Sequence, residues 1–146
     1  MRELPRKLSV EELSELFERR TRLVELLAET EHPLERAEDV LVTIGYKEKL
    51  EALNAHPTIG QRTELSARSA AEQGDDPDPA VLEELARLNA EYEERFGFRF
   101  VVFVNRRSKV EILEVLRERI DRTREEELDT GCHELVAIAR DRWIRT

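Results

Sequence analysis

Apolar residues recur at three-, four- and seven-residue steps along much of this 146-residue chain, and Gly, Pro and capping residues cut the pattern into segments. Leu13, Leu16, Phe17, Leu23, Val24 and Leu27 describe one face of a single helix. Ser9-Val10-Glu11-Glu12 opens it as a capping box, the Ser9 hydroxyl and Glu12 carboxylate covering amides that a first helical turn leaves bare. Pro33 ends it. Residues 34–43 form a shorter apolar–charged segment that Gly45 closes. Tyr46–Asn54 is helical again, with Leu50 and Leu53 inward. It stops at His56-Pro57, because proline steers the residue before it out of the helical region.

After a loop at Thr58-Ile59-Gly60, residues 63–73 read as a helix rich in Ala and Glu, and Gly74-Asp75-Asp76-Pro77-Asp78-Pro79 reads as a linker. Asp78 can cap the next helix with Pro79 at its first position. That helix places Leu82, Leu85, Leu88, Tyr92 and Phe96 on one face. Residues 91–105, EYEERFGFRFVVFVN, then hold four of the five phenylalanines and form the hub on which the helices are expected to pack. Gly97 breaks the helix because it reaches positive φ without strain. Residues 98–104 have strand-like composition, but no second strand is in view to pair with them, so a buried extended connector or an early helix is expected. Ser108–Glu111 and Thr123–Glu126 repeat the capping box ahead of helices carrying Leu113, Leu116 and Ile120, and the chain's last apolar stripe. The expectation is an all-α, single-domain bundle of about seven helices over residues 1–146.

Charged residues make up 39% of the chain and aromatics 5%, which suits exposed amphipathic helices around an aliphatic core. A formal charge of −9 argues against non-specific binding to nucleic acid or anionic membrane. An anionic small substrate remains compatible, provided a local arginine faces the pocket. No apolar run approaches a membrane span, and the opening MRELPRKLSVEE lacks the apolar core of a signal peptide. A single cysteine, Cys132, excludes an intramolecular disulfide and makes a reducing cytoplasm the default expectation.

Three constellations carry candidate chemistry. A histidine held before a proline, as in His56-Pro57, is fixed in backbone direction and is of a residue type that can titrate near neutral pH, which suits a general acid or base. The alternative is a partly buried histidine with one structural hydrogen bond, and His32-Pro33 repeats the dipeptide without other support. Ser69, Glu72 and Gln73 share a helical face with Leu65 and offer donors and acceptors suited to a polar heterocycle; otherwise they are a solvated helix end. In the last helix, at 100° per residue from Leu128, Cys132, Leu135, Ala139 and Trp143 fall within roughly 60°, Arg142 about 40° off, and Arg140 about 120° away. An arginine on the buried stripe needs an anionic partner, from the protein or from a substrate, unless it snorkels out at the chain end. His32, His56, His133 and Cys132 have no recognised metal-ligand spacing, so no metal is expected.

The ordered set AHPTIG, SAAEQ, LNAEYEERFGFRFVVFV, EIL, EL and IARDRW, over residues 46–143, resembles the 2-oxo-4-hydroxy-4-carboxy-5-ureidoimidazoline (OHCU) decarboxylase family of urate degradation. The resemblance implies an all-α, commonly dimeric, cofactor-independent enzyme that releases CO2 from the hydrolysed urate intermediate to give (S)-allantoin. It puts the family's catalytic histidine on His56, followed by Pro57. The family's Ser and Glu-Gln motif falls on Ser69, Glu72 and Gln73, with Glu72 beside His56 in catalysis. The pocket-lining FGFPF segment falls on residues 96–100, with Phe98, Arg99 and Phe100 as its substrate-binding positions, and the substrate-binding arginine falls on Arg142. The family proline is replaced by Arg99, which adds a charge and a backbone amide at the pocket edge.

Two other readings stand beside this one. In the first, the chain is a non-catalytic acidic helical interaction or dimerisation protein, in which Arg142 and Glu72 pair with protein groups. In the second, the same fold acts on another ureido-imidazole substrate.

Overall fold

The apolar face from Leu13 to Leu27 does not belong to one helix. In the computed structural model, which describes residues 3–57 and 78–145, it is divided between α1 (Val10–Leu16) and α2 (Arg22–Ala28). Glu18 adopts a left-handed backbone with φ 80°, a conformation that a right-handed helix cannot pass through. Thr21 then restarts the helix, its hydroxyl accepting from the Val24 amide at 3.3 Å. The spacing hid the break because both halves still turn Leu13, Leu16, Phe17, Leu23, Val24 and Leu27 inward.

Pro33 opens α3 (Pro33–Thr43) instead of ending the helix before it, and left-handed His32 stands at the cap position. Gly45 precedes α4 (Tyr46–Asn54). Leu53 of α4 is buried as expected, but Leu50 is only half-buried and Ala52 takes the second inward position. α2 packs against α1, α3 and α4.

α5 (Pro79–Phe96) starts as the sequence indicates, with Asp78 Oδ1 accepting from the Ala80 amide at 2.8 Å and Pro79 in the first turn. Leu85, Leu88, Tyr92 and Phe96 are buried, Leu82 partly so. Gly97 ends α5 at φ 82°, where a side chain would be strained. Residues 98–104 form a connector that is neither helix nor strand, burying Phe98, Phe100, Val101, Val102 and Val104. The Ser108–Glu111 capping box opens α6 (Lys109–Arg119), which packs on α5. The Thr123–Glu126 box opens α7 (Arg124–Arg145), with its two hydrogen bonds at 3.0 and 3.1 Å.

The described residues group into two compact units, one from Met1–His56 with Cys132–Thr146 and the other from Pro57–Gly131. Among the described residues there are seven helices and no strand, so the fold is all-α. None of these helices is long and apolar enough to cross a membrane. The helix expected over residues 63–73 lies outside the described residues.

Candidate active-site residues

The two His-Pro dipeptides, alike in sequence, take opposite places in the fold. His32 stands at a helix entrance, half-buried, with Nδ1 3.8 Å from the Glu35 carboxylate. His56 stands just past a helix exit, 5% exposed. Its amide donates to the Leu53 carbonyl at 3.2 Å, closing the last turn beyond α4. That bond and the following Pro57 ring fix the backbone on both sides of an imidazole held out of bulk water. Ser69, Glu72 and Gln73 lie outside the described residues.

Arg142 is buried, at 3% exposure, so it does not snorkel to the surface at the end of α7. Its Nη1 donates to the Leu16 carbonyl at 3.0 Å, and its Nη2 lies 3.2 Å from Glu18 Oε1, whose side chain is itself 8% exposed. Leu16 is the last residue of α1, so its carbonyl lacks a helical partner and the guanidinium takes that role. Left-handed backbone at a residue such as Glu18 costs roughly 1–3 kcal/mol. Here the cost is incurred where the inward-turned carboxylate meets a buried cation. The anionic partner that the helical stripe requires is therefore, in this structure, a protein carboxylate.

In the second unit, Phe98 and Phe100 are both buried against Tyr92, with ring centroids 6.1 and 5.3 Å from it. Phe96 packs on the same ring at 4.6 Å. Edge-to-face and tilted contacts of this kind lock the connector's side chains into the core and leave its backbone as the part able to line a site. Arg99, between them, is partly buried and points back towards α5, with Nε 3.5 Å from Glu93 Oε1. The charge of Arg99 is thus met by a carboxylate of the same unit.

A polar network missing from the sequence reading holds this connector. The Tyr92 hydroxyl donates to Glu127 Oε1 at 2.6 Å, and Arg119 Nε donates to the same oxygen at 2.7 Å. Arg119 Nη1 reaches the Val101 carbonyl at 2.8 Å, and its guanidinium lies over the Phe100 ring at 4.6 Å. Arg119 Nη2 has no hydrogen-bond partner among the described residues, and the face of Phe100 compensates part of that loss. Arg122 Nη1 donates to Glu127 Oε2 and to Thr130 Oγ1, both at 3.0 Å. Burial, then the hydrogen bond to Glu127, push the Tyr92 phenol far above its ordinary value. The signal was present: Glu127 continues the buried stripe of Gly131, Leu135, Ile138 and Arg142 in steps of four and three.

Among the described residues no group of three His, Cys, Asp or Glu side chains is arranged to hold a metal ion. His133 Nδ1 contacts Glu38 on the surface of the first unit.

Comparison with known proteins places these features. A protein named OHCU decarboxylase from Halalkalicoccus jeotgali is 37% identical over 97 residues, and its namesake from Haloferax volcanii is 36% identical over 97. Each alignment covers 64% of this chain but only 55% and 58% of the relatives, so the matched region spans little more than half of their length. The crystal structure of an OHCU decarboxylase in the presence of (S)-allantoin superposes with a TM-score of 0.69 at 25% identity, covering 82% of this chain and 86% of that one. The crystal structure of an (S)-allantoin synthase shares the fold, with a TM-score of 0.70 at 23% identity over 93% of this chain and 48% of that one. The sequence profile described as OHCU decarboxylase matches residues 2–143, reaching well ahead of the motif-bearing residues 46–143 and including the Leu16–Glu18 bend that receives Arg142. With the profile matched almost end to end, this chain belongs to the OHCU decarboxylase family.

Proposed function

We propose that the protein catalyses the cofactor-independent decarboxylation of OHCU to (S)-allantoin and CO2 in urate degradation, acting as one helical domain and as a homodimer in the cytoplasm. The observation that carries this reading is a buried histidine, in the family's His-Pro motif, in a chain whose family match runs over residues 2–143. The single cysteine supports a reducing compartment.

The substrate bears a carboxylate and a hydroxyl on one ring carbon, beside a conjugated C=N. As the bond to CO2 breaks, its electron pair forms a double bond to the neighbouring ring carbon, the C=N pair passes to the ring nitrogen, which takes up a proton, and an enol is left. The hydroxyl proton then departs as a proton is delivered to one face of the neighbouring ring carbon. The ring itself accepts the charge, so the protein needs only to orient the carboxylate, stabilise the developing negative charge and direct the proton. In this reading His56, next to Pro57, transfers the proton, and Glu72 orients it or holds the ureido group. Ser69 and Gln73 hydrogen-bond ring or ureido atoms. Arg142 anchors the anionic part of the substrate. Backbone amides from Phe98 through Arg99 to Phe100 meet a ring carbonyl, and preorganised donors of this kind commonly contribute several kcal/mol.

The pairing of Arg142 with Glu18 is also what a non-catalytic helical interaction protein would show. One assay separates the two. Freshly generated urate oxidation product, hydrolysed to OHCU, is followed by circular dichroism with and without the protein. Accelerated appearance of optically active allantoin supports the enzyme; the spontaneous rate, unchanged at micromolar protein, refutes it.

A further inference from the structure

Leu16, Glu18 and Arg142 form a unit more specific than burial of one arginine requires. Arginine carries a planar fork of donors on a long, rotatable stem. One contact would leave the fork free to turn about that stem. Two contacts on separate nitrogens, from residues two apart in sequence, fix its plane: Leu16 carbonyl on Nη1 at 3.0 Å and Glu18 Oε1 by Nη2 at 3.2 Å. The backbone at residue 18, with φ 80°, is one that glycine or asparagine would occupy with less strain. A glutamate at that position turns its side chain inward, to 8% exposure, against the guanidinium.

We propose that Glu18 is a positioning residue for Arg142, setting the plane and compensating the charge of the guanidinium that anchors the anionic part of the substrate. This rests on the reading of Arg142 given under Proposed function. Glu18 acts through Arg142, so its contribution to turnover vanishes when Arg142 is absent.

The test is a double-mutant cycle on kcat/KM with OHCU as substrate, using wild type, Glu18→Gly, Arg142→Ala and the double variant. Glycine suits the left-handed backbone, so Glu18→Gly removes the carboxylate while favouring the native bend; the helical circular dichroism signal checks that the fold is retained. The expected result is a KM raised roughly 10- to 100-fold with kcat changed much less, since the contact holds the anionic group in the ground state and that charge has moved into the ring by the transition state. Glu18→Gln, which keeps an oxygen acceptor, recovers part of the loss. In the Arg142→Ala background, Glu18→Gly changes kcat/KM by less than about twofold. An unchanged KM in Glu18→Gly, or an equal loss in both backgrounds, overturns the proposal while the functional reading stands. A wild type that produces no (S)-allantoin overturns both.

Discussion

The Tyr92 hydroxyl donates to Glu127 Oε1 across 2.6 Å, and neither side chain touches solvent. Hydrogen bonds to a buried charge are among the stronger ones, so Tyr92→Phe is expected to cost about 1.5–3 kcal/mol, read as a lower urea midpoint at unchanged slope. The same bond sets a sign at high pH. Folding raises the phenol above its ordinary value of 10.0, so its contribution is fully present below pH 10 and is lost as the pH climbs beyond it. Wild type should weaken above pH 10 more steeply than Tyr92→Phe. Parallel alkaline limbs in the two proteins would contradict this account.

Glu127 also receives Arg119 and Arg122, and the two arginines differ in what they lose with it. Arg122, with 38% of its side chain exposed, can turn to water; Arg119, at 7%, cannot. Glu127→Ala should therefore cost about 3–5 kcal/mol, most of it from stranding Arg119. Replacing both partners, Glu127→Leu with Arg119→Met, should restore much of that loss. Chemical denaturation of the single and paired variants measures it, and a double variant no better than Glu127→Ala would place the cost elsewhere.

His56→Asn keeps a similar polar volume at the end of α4 but removes the titrating ring. Turnover of OHCU should fall by roughly 10²–10⁴, the usual range for a proton-transfer group, with the helical circular dichroism signal intact. Turnover close to wild type would remove His56 from the mechanism.

How far the sequence could be read depended on whether the decisive interaction was local. Ser9–Glu12, Ser108–Glu111 and Thr123–Glu126 each closed as capping boxes because both partners lie within one turn. Gly97 and Asp78-Pro79 were equally legible, since each needs only its own backbone. The bend at residues 17–21 was not, because the step from Phe17 to Val24 is seven residues and keeps the apolar face in phase through a break. What stabilises that bend is an arginine from the far end of the chain. Glu127 was hidden in the run Glu125-Glu126-Glu127, which on its own reads as acidic residues favouring a helix N-terminus. Its burial depends on Tyr92 and Arg119, 35 and 8 positions away. Of the candidate site, the burial of Arg142 agrees with the helical stripe that singled it out, whereas its pairing with Glu18 required a residue that the pattern placed mid-helix.

The capping boxes give an acid-side prediction. Backbone and hydroxyl hydrogen bonds from Ser108 hold Glu111 below its ordinary value of 4.5, and those from Thr123 do the same for Glu126. A carboxylate lowered by folding contributes above its unfolded value and loses that contribution as the pH drops through the folded one. Melting temperature should therefore fall between about pH 5 and pH 3, and less steeply in Glu111→Gln/Glu126→Gln, whose caps no longer titrate. Equal slopes in both proteins would assign the acid limb to other carboxylates.

Surface bends are where protein engineers usually place tags, insertions or new chain ends. Within the bend between α1 and α2, the step from Leu16 to Glu18 should resist all three. Leu16 and Glu18 address two nitrogens of one side chain, so the interval between them cannot be lengthened without losing one contact or the other. Its permitted length is set from outside, by a residue more than a hundred positions downstream.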